Sequence, residues 1–243
     1  MDLVIDIGNS SLKAAVFKEN DMVRKAGWQD VSANPLPPLL AEFPDLEHAL
    51  LSTVRKDDTG LQALLERAGM KVLVLDERTP LPIRNLYRSP ATLGRDRIAA
   101  AVGANARYPG QNILVIDAGT AITIDFVSAG AEFAGGNISP GLSMRFRALH
   151  EYTGRLPLLQ ASDLSFFLAE DTPGAIRAGV QYGIIFELDE YINRQKKRYP
   201  DLRVIMTGGD AKFFDKKLKN SIFVDPDLNL VGLQRILHHN VGN

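Results

Sequence analysis

One short pattern occurs twice in this sequence, once at the start of the chain and once near its middle. The stretch LVIDIGNSS spans Leu3–Ser11, and LVIDAGTAI spans Leu114–Ile122. Each copy begins with apolar residues typical of a buried strand and continues with Asp-x-Gly, so that Asp6 aligns with Asp117. Because a shared Asp-x-Gly at the same strand end is uncommon by chance, the repeat predicts a duplicated domain with one phosphate-binding turn in each half.

The residues of the first copy suit the binding of a nucleotide phosphate. Asp6 can hold a Mg²⁺ ion that already carries phosphate oxygens. Gly8 allows the backbone to approach an anion closely, and successive N–H groups of such a turn can surround it. Ser10 and Ser11 add hydroxyl donors, and Lys13 adds a positive charge. Taken alone, the stretch could equally be a polar hairpin that joins two strands, and the second copy favours the phosphate-binding interpretation.

A second candidate site lies at the start of a predicted helix, in the stretch Gly94–Arg97 with the sequence GRDR. Asp96 falls in the first turn of that helix, where the N–H dipoles favour an ionised carboxylate. Such an Asp can accept an alcohol proton, while Arg95 and Arg97 hold a carboxylate or a phosphate. For an isolated GRDR, a helix start with solvated arginines is the better interpretation.

Composition excludes several classes of function. The chain has 28 basic and 29 acidic residues and a net charge of −1, which argues against nucleic acid or an acidic membrane as a partner. It has no cysteine, so disulfides, zinc thiolates and a cysteine nucleophile are excluded. No stretch approaches the ~18 apolar residues of a membrane-spanning helix, and no signal peptide is evident. We therefore expect a cytoplasmic protein.

Proline positions give three local expectations. Pro37–Pro38 would interrupt a helix interior, which predicts a loop with about one helical turn. Pro140 suits the first turn of a helix over 141–150. Thr172 is expected to be the N-cap of the longest helix, with Pro173 as its first residue.

The order of the motifs carries a resemblance to a known family. Two Asp-x-Gly turns on β-hairpins, one in each half, resemble the actin-like ATPase superfamily, which includes acetate and sugar kinases. Within it, the set of motifs resembles the type III pantothenate kinase family over roughly 3–211. These motifs are DIGNSSLK, GRDR, DAGTA, GGNISPG, DTPGAIRAG and TGGDA.

The resemblance implies an α/β fold of two ribonuclease-H-like halves, 1–111 and 112–243, with an active cleft between them. It implies ATP-dependent phosphorylation of pantothenate to 4'-phosphopantothenate, the first step of coenzyme A biosynthesis. The expected cofactors beside ATP are Mg²⁺ and a monovalent cation, K⁺ or NH₄⁺. A homodimer is also implied, and the small residues on the long helix, which include Gly179 and Gly183, agree with one.

The resemblance also assigns roles to residues. Asp96 is the expected catalytic base, and Asp117 is expected to bind the monovalent cation. Pantothenate is expected to contact Tyr87, Gly94, Arg95, Asp96, Arg97 and Thr172. ATP is expected to contact Asp6, Ile7, Gly8, Asn9, Ser10, Ser11, Leu12, Lys13 and Thr120.

Two alternatives differ from this assignment. One is another actin-like kinase or phosphatase, such as a small sugar kinase; the combination of GRDR with Tyr87 and the short chain argue against it. The other is a regulatory or accessory protein that has lost catalysis on the same scaffold. The presence of the motif residues argues against that loss: Asp6, Asp96, Asp117, Thr120 and Thr172.

Overall fold

The computed structural model describes residues 1–8, 11–29, 36–53 and 60–242 of the 243-residue chain. Its contacts divide the chain into two compact units. The first unit consists of Met1–Gly110, Val127–Ala134 and Asp227–Asn243, and the second of Gln111–Phe126 and Gly135–Pro226. Both units are discontinuous in sequence, whereas the expected halves 1–111 and 112–243 are sequential. The sequential halves therefore stay a prediction about the duplication.

The first unit contains a mixed sheet with strand order β3-β2-β1-β4-β5. Its strands are β1 Asp2–Ile7, β2 Leu12–Lys18, β3 Asp21–Trp28, β4 His48–Thr53 and β5 Lys71–Val74. The central strand β1 runs antiparallel to β2 and parallel to β4. Leu3, Val4 and Ile5 are all fully buried, as expected for a strand whose two faces are both covered.

In the described part of the first unit, the α-helices are α1 Pro37–Glu42, α2 Leu61–Arg67, α3 Arg95–Arg107 and α7 Leu228–Val241. Leucines of α1 and α2 join the core that covers one face of the sheet. The helical turn expected in the loop around Pro37–Pro38 corresponds to α1, which has six residues and begins with these two prolines. A proline there loses no intrahelical hydrogen bond, since the first N–H groups of a helix have no partner within it.

The helices α3 and α7 approach each other through two glycines. A Cβ atom on Gly103 would lie 2.1 Å from the Leu228 carbonyl oxygen, and one on Gly232 would lie 1.8 Å from the Ala99 carbonyl oxygen. Both distances are shorter than any van der Waals contact, so the two backbones touch directly. This contact fixes α3, which carries GRDR at its start, to the C-terminal helix.

The second unit repeats the strand order of the first. Its strands are β7 Ile113–Ala118, β8 Ala121–Val127, β9 Glu132–Pro140, β10 Arg203–Thr207 and β11 Phe223–Val224. The order is β11-β10-β7-β8-β9. The short strand β6 (Arg84–Asn85) pairs with Glu132 and Phe133 at the start of β9, and these four residues belong to the first unit. As in the first sheet, the strand before the Asp-x-Gly turn, β7, is parallel to a later strand, β10. The predicted duplicated α/β architecture is therefore confirmed.

The helices of the second unit are α4 Leu142–Glu151, α5 Thr172–Arg198 and α6 Ala211–Asp215. Their apolar residues cover the sheet in one core, which includes Phe146, Ile184 and Phe214. Two expectations about helix starts were wrong. Pro140 ends β9, and Gly141 is the N-cap of α4. The N-cap of α5 is Asp171, because its extended backbone directs the carboxylate to accept the Gly174 N–H at 2.6 Å.

We predict that Gly232→Ala destabilises the protein by about 1–3 kcal/mol, because the added methyl group forces α3 and α7 apart. Chemical denaturation monitored by circular dichroism measures the free energy of unfolding. Gly130→Ala is the matched control, since a Cβ there would meet no atom closer than 3.6 Å. Equal stabilities of the two variants would contradict the direct contact of the helices.

Candidate active site

The first Asp-x-Gly turn connects β1 to β2. The Gly8 N–H donates to the Ser11 carbonyl oxygen at 2.9 Å and closes the turn. Asp6 lies opposite Lys13 across the antiparallel strand pair. A carboxylate and an ammonium group therefore occupy neighbouring strands at the open end of the sheet, beside a turn that contains glycine.

The neighbouring predicted ATP contacts differ in what they can offer. Ile7 and Leu12 are fully buried in the core of the first unit, so only their backbone atoms can reach a ligand. Asn9 and Ser10 lie outside the described residues. Among the described residues of this turn, the side chains predicted to contact ATP are those of Asp6, Ser11 and Lys13, and the contacts of Asn9 and Ser10 stay predictions.

Ser52 is a residue that sequence reasoning did not assign to the site. Its hydroxyl donates to Asp6 Oδ1 at 3.4 Å, and its side chain is fully buried. The contact arises because β1 and β4 are parallel neighbours with Asp6 opposite Ser52 in their register. In the sequence, the polar pair Ser52–Thr53 directly follows the apolar residues of β4. Ser52 restricts the orientation of the Asp6 carboxylate.

The second Asp-x-Gly turn is in contact with the glycine that precedes α4. A Cβ on Gly141 would lie 2.2 Å from the Gly119 carbonyl oxygen and 2.3 Å from that of Thr120. The Gly141 N–H also donates to the Thr120 carbonyl oxygen at 3.1 Å. The motif GGNISPG is therefore the support of the DAGTA turn, and its last glycine is required by the close approach.

The TGGD turn supports the same segment from β10. A Cβ on Gly208 would lie 2.5 Å from Asp117 Oδ1 and 2.4 Å from the Ala118 carbonyl oxygen. The Asp210 N–H donates to the same carbonyl at 2.9 Å. Gly208 has a φ of 96°, which also favours glycine. An oxygen of the Asp117 carboxylate and the Ala118 carbonyl oxygen therefore both lie close to Gly208.

Asp96 occupies the predicted position in the first turn of α3. Its Oδ1 accepts the Arg97 N–H at 2.9 Å, which holds the carboxylate at the positive end of the helix. A Cβ on Gly94 would lie 2.3 Å from this Oδ1. Any side chain at 94 would therefore displace the Asp96 carboxylate.

Arg97 is packed between two aromatic rings. It is only 4% exposed, and its guanidinium carbon lies 5.2 Å from the Tyr87 ring centroid and 5.8 Å from that of Phe133. Its Nη1 donates to the Tyr87 hydroxyl at 3.5 Å. Phe133 was missed by sequence reasoning, because it comes from β9, far from both partners in sequence. The three side chains orient one another through cation–π and ring contacts.

Arg95 makes a different set of contacts. Its guanidinium donates to the carbonyl oxygens of Leu75 and Leu93 at 3.3 and 3.0 Å and pairs with Glu77 at 3.1 Å. These contacts join the end of β5 to the start of α3. The structure thus uses this side chain to hold the loop that precedes Asp96, and the predicted contact with pantothenate stays a prediction.

Thr172 is the first residue of α5 and is exposed to solvent. Since Asp171 caps the helix, the Thr172 hydroxyl is not required for capping. Its predicted contact with pantothenate therefore stays compatible with the helix geometry.

The described residues contain neither a group of three metal-binding side chains nor a helix that could span a membrane. Within residues 1–8, 11–29, 36–53 and 60–242, no three His, Asp or Glu side chains form a group that could hold a metal ion. In the same part of the chain, no helix is both long and apolar enough to cross a membrane.

Comparison with known proteins decides the family. The family model described as type III pantothenate kinase matches residues 2–194. The chain belongs to the type III pantothenate kinase family. Its relative from Bacteroides fragilis is 47% identical over 242 residues, which cover 100% of this chain and 99% of the relative. The type III pantothenate kinase of Porphyromonas gingivalis is 41% identical over 243 residues, with 99% of each chain covered. The predicted resemblance is thus confirmed.

A solved structure supports the fold independently. A Sinorhizobium meliloti protein described as a 2-dehydro-3-deoxygalactonokinase matches with a TM-score of 0.63 at 11% identity, and the match covers 100% of both chains. At this identity the likeness shows the fold alone. The predicted actin-like, ribonuclease-H-like fold class is therefore confirmed.

Burial raises the pKa of the Asp210 carboxyl in the TGGD turn. Because the pKa is raised, the ionised Asp210 carboxylate destabilises the folded state at pH values above the folded-state pKa. This destabilisation is lost as the pH falls through the folded-state pKa. We predict that Asp210→Asn is more stable than the wild type at pH 7. Urea denaturation should show this difference shrinking toward zero at about pH 4, near the pKa of a free Asp. A difference that is constant with pH would contradict this assignment.

Proposed function

We propose that this chain transfers the γ-phosphoryl group of ATP to the primary hydroxyl of pantothenate, giving 4'-phosphopantothenate and ADP in the first step of coenzyme A biosynthesis. The observation that carries the proposal is the 47% identity to a type III pantothenate kinase over the full chain. The positions of Asp6, Asp96 and Asp117 at two strand ends and one helix start support it.

ATP and Mg²⁺ are assigned to the first Asp-x-Gly turn, with Thr120 as a further contact of ATP. Asp6, oriented by Ser52, would hold Mg²⁺ through an oxygen ligand of the kind this ion prefers. Bound Mg²⁺ neutralises the negative charge of the phosphate groups. The Gly8 turn and Lys13 would approach the phosphates, and the Thr120 hydroxyl would donate to them.

The monovalent cation, K⁺ or NH₄⁺, is assigned to Asp117. The chemistry of the residues present fits such an ion, because an oxygen of the Asp117 carboxylate and the Ala118 carbonyl oxygen both lie beside Gly208. Oxygen atoms of this kind can coordinate K⁺ or accept hydrogen bonds from NH₄⁺. The cation would add positive charge beside the phosphate turn.

Asp96 is assigned as the base that receives the proton of the pantothenate hydroxyl. The hydroxyl oxygen forms its bond to the γ-phosphorus while the bond to the ADP oxygen breaks, and the proton passes to the Asp96 carboxylate. Phosphoryl transfer has a loose transition state, so orientation and charge neutralisation contribute more than base strength. The fixed position of Asp96 at the start of α3 suits that requirement, and Tyr87, Gly94, Arg97 and Thr172 would complete the pantothenate site.

We predict that Asp96→Asn lowers kcat by about 100-fold or more, because the amide keeps the shape of the carboxylate but cannot take the proton. A coupled assay of ADP release measures kcat, and circular dichroism verifies the fold. Asp163→Asn is the control, since that carboxylate is exposed and pairs only with Lys217. Turnover near the wild-type value in Asp96→Asn would exclude Asp96 as the base.

The choice of substrate is tested with a panel of hydroxyl acceptors. Wild-type protein is incubated with ATP, Mg²⁺ and pantothenate, N-acetylmannosamine or 2-dehydro-3-deoxygalactonate, and the products are identified by mass spectrometry. We predict phosphorylation of pantothenate alone. Preferential phosphorylation of either sugar derivative would replace the proposal by the sugar-kinase alternative.

We also propose that a second copy of this chain covers the exposed face of α5. Small residues line this face at Ala175 and Gly179, and a Cβ on Gly179 would meet no atom within 4 Å. Three aromatic rings continue the face, those of Phe167, Tyr182 and Phe186, with centroids 5.3–6.1 Å apart. Phe167 is 61% exposed and Phe186 is 50% exposed. A face of small and aromatic residues suits the close packing of two identical helices.

We predict that Phe186→Asp converts the dimer to a monomer, because it places a charge in the centre of this apolar face. Size-exclusion chromatography with light scattering measures the molar mass. Val23→Asp is the control, because Val23 is similarly exposed, at 47%, but lies on β3. A dimer that survives Phe186→Asp would place the interface elsewhere.

The cytoplasmic location stays a prediction of the sequence.

A further inference from the structure

The side chain of Arg145, on α4, contacts two other segments of the second unit through three residues. Its Nε donates to the Pro140 carbonyl oxygen at 2.8 Å, and its Nη2 donates to the Ser139 hydroxyl at 3.2 Å. The same Nη2 forms an ion pair with Glu187 of α5. The two charged side chains are each only 22% exposed, so water screens their attraction less than at the surface.

The segment held by Arg145 leads directly to the second phosphate turn. Gly141 follows Pro140, and its N–H donates to the Thr120 carbonyl oxygen at 3.1 Å. A Cβ on Gly141 would overlap the carbonyl oxygens of Gly119 and Thr120. No side chain separates the two backbones, so a shift of the Ser139–Pro140 segment moves the turn with it. The structure therefore contains a continuous series of contacts from Glu187 through Arg145 and Gly141 to Thr120.

We propose that Arg145, with Glu187 as its anchor, is a positioning residue for the Thr120 turn and thereby for the phosphates of ATP. The proposal rests on the assignment of that turn to ATP. The guanidinium is suited to this role because its planar fork donates in several fixed directions at once, and a lysine ammonium cannot reproduce that geometry. Arg145 acts through the backbone of 139–141 and not by contact with the nucleotide.

The same helix contains a second arginine pair that serves as an internal comparison. Arg147 pairs with Glu151 at 3.3 Å, but both side chains are more than half exposed, at 68% and 51%. The pair joins residues of one helix only and reaches no other segment of the second unit in the contacts described. An exposed pair of this kind has little effect on stability.

The test measures nucleotide binding separately from turnover. Isothermal titration calorimetry with Mg·ADP gives Kd for the wild type, Arg145→Ala, Arg145→Lys and Arg147→Ala. Steady-state kinetics give KM for ATP and for pantothenate. We expect Arg145→Ala to raise Kd for Mg·ADP and KM for ATP by about tenfold or more, as is usual for the loss of a supporting contact. Arg145→Lys should show the same increases in Kd for Mg·ADP and in KM for ATP. The KM for pantothenate should stay at the wild-type value in both Arg145 variants. All constants of Arg147→Ala should equal those of the wild type.

Each outcome decides one point. A wild-type Kd for Mg·ADP in Arg145→Ala overturns the proposal. Equal increases in both KM values, together with a lower Tm, would indicate a merely structural role and overturn it as well. If Arg145→Ala does not fold, Glu187→Gln and Ser139→Ala replace it, with the same pattern expected at about threefold or more. A wild type that binds Mg·ADP but does not phosphorylate pantothenate would contradict the proposed function and leave the binding test of Arg145 intact.

Discussion

The burial of two strands that each end in a carboxylate is the constraint on which the rest of the structure depends. β1 and β7 are central in their sheets, so neither can shift along its neighbours without exposing apolar side chains. Their parallel neighbours β4 and β10 fix the register at the strand ends. Asp6 and Asp117 therefore stay at defined positions at the edge of each core, where the chain must turn and where backbone groups become available to a ligand.

Close backbone contacts also fix the positions of the remaining motifs. Gly141 and Gly208 bring their turns against the segment that follows Asp117, and Gly232 brings α7 against α3. In each case the glycine has no side chain, so its backbone is in direct contact with the backbone of the neighbouring segment. The motifs are distant in sequence, yet their positions depend on one another at the scale of single atoms. This dependence explains why glycine, rather than a catalytic side chain, dominates several of them.

The sequence predicted the parts of the site that local patterns encode. The repeated strand and turn, the helix that begins at GRDR and the family were all recognisable, because each depends on neighbouring residues. Ser52, Phe133 and Arg145 were not predicted, since their roles depend on contacts with residues between 5 and 46 positions away. The cap of α5 was misplaced by one residue because Asp171 and Thr172 are both good caps, and only the backbone geometry distinguishes them.

We propose that the two Asp-x-Gly turns have different tasks, Mg·ATP at Asp6 and the monovalent cation at Asp117. The most direct measurement is pantothenate-dependent ADP release in potassium and in sodium for the wild type, Asp6→Asn and Asp117→Asn. We predict that the wild type needs potassium, that Asp6→Asn is inactive in both salts, and that Asp117→Asn loses the response to potassium. Wild-type turnover in both variants, or identical behaviour of the two variants in both salts, would contradict this division of tasks.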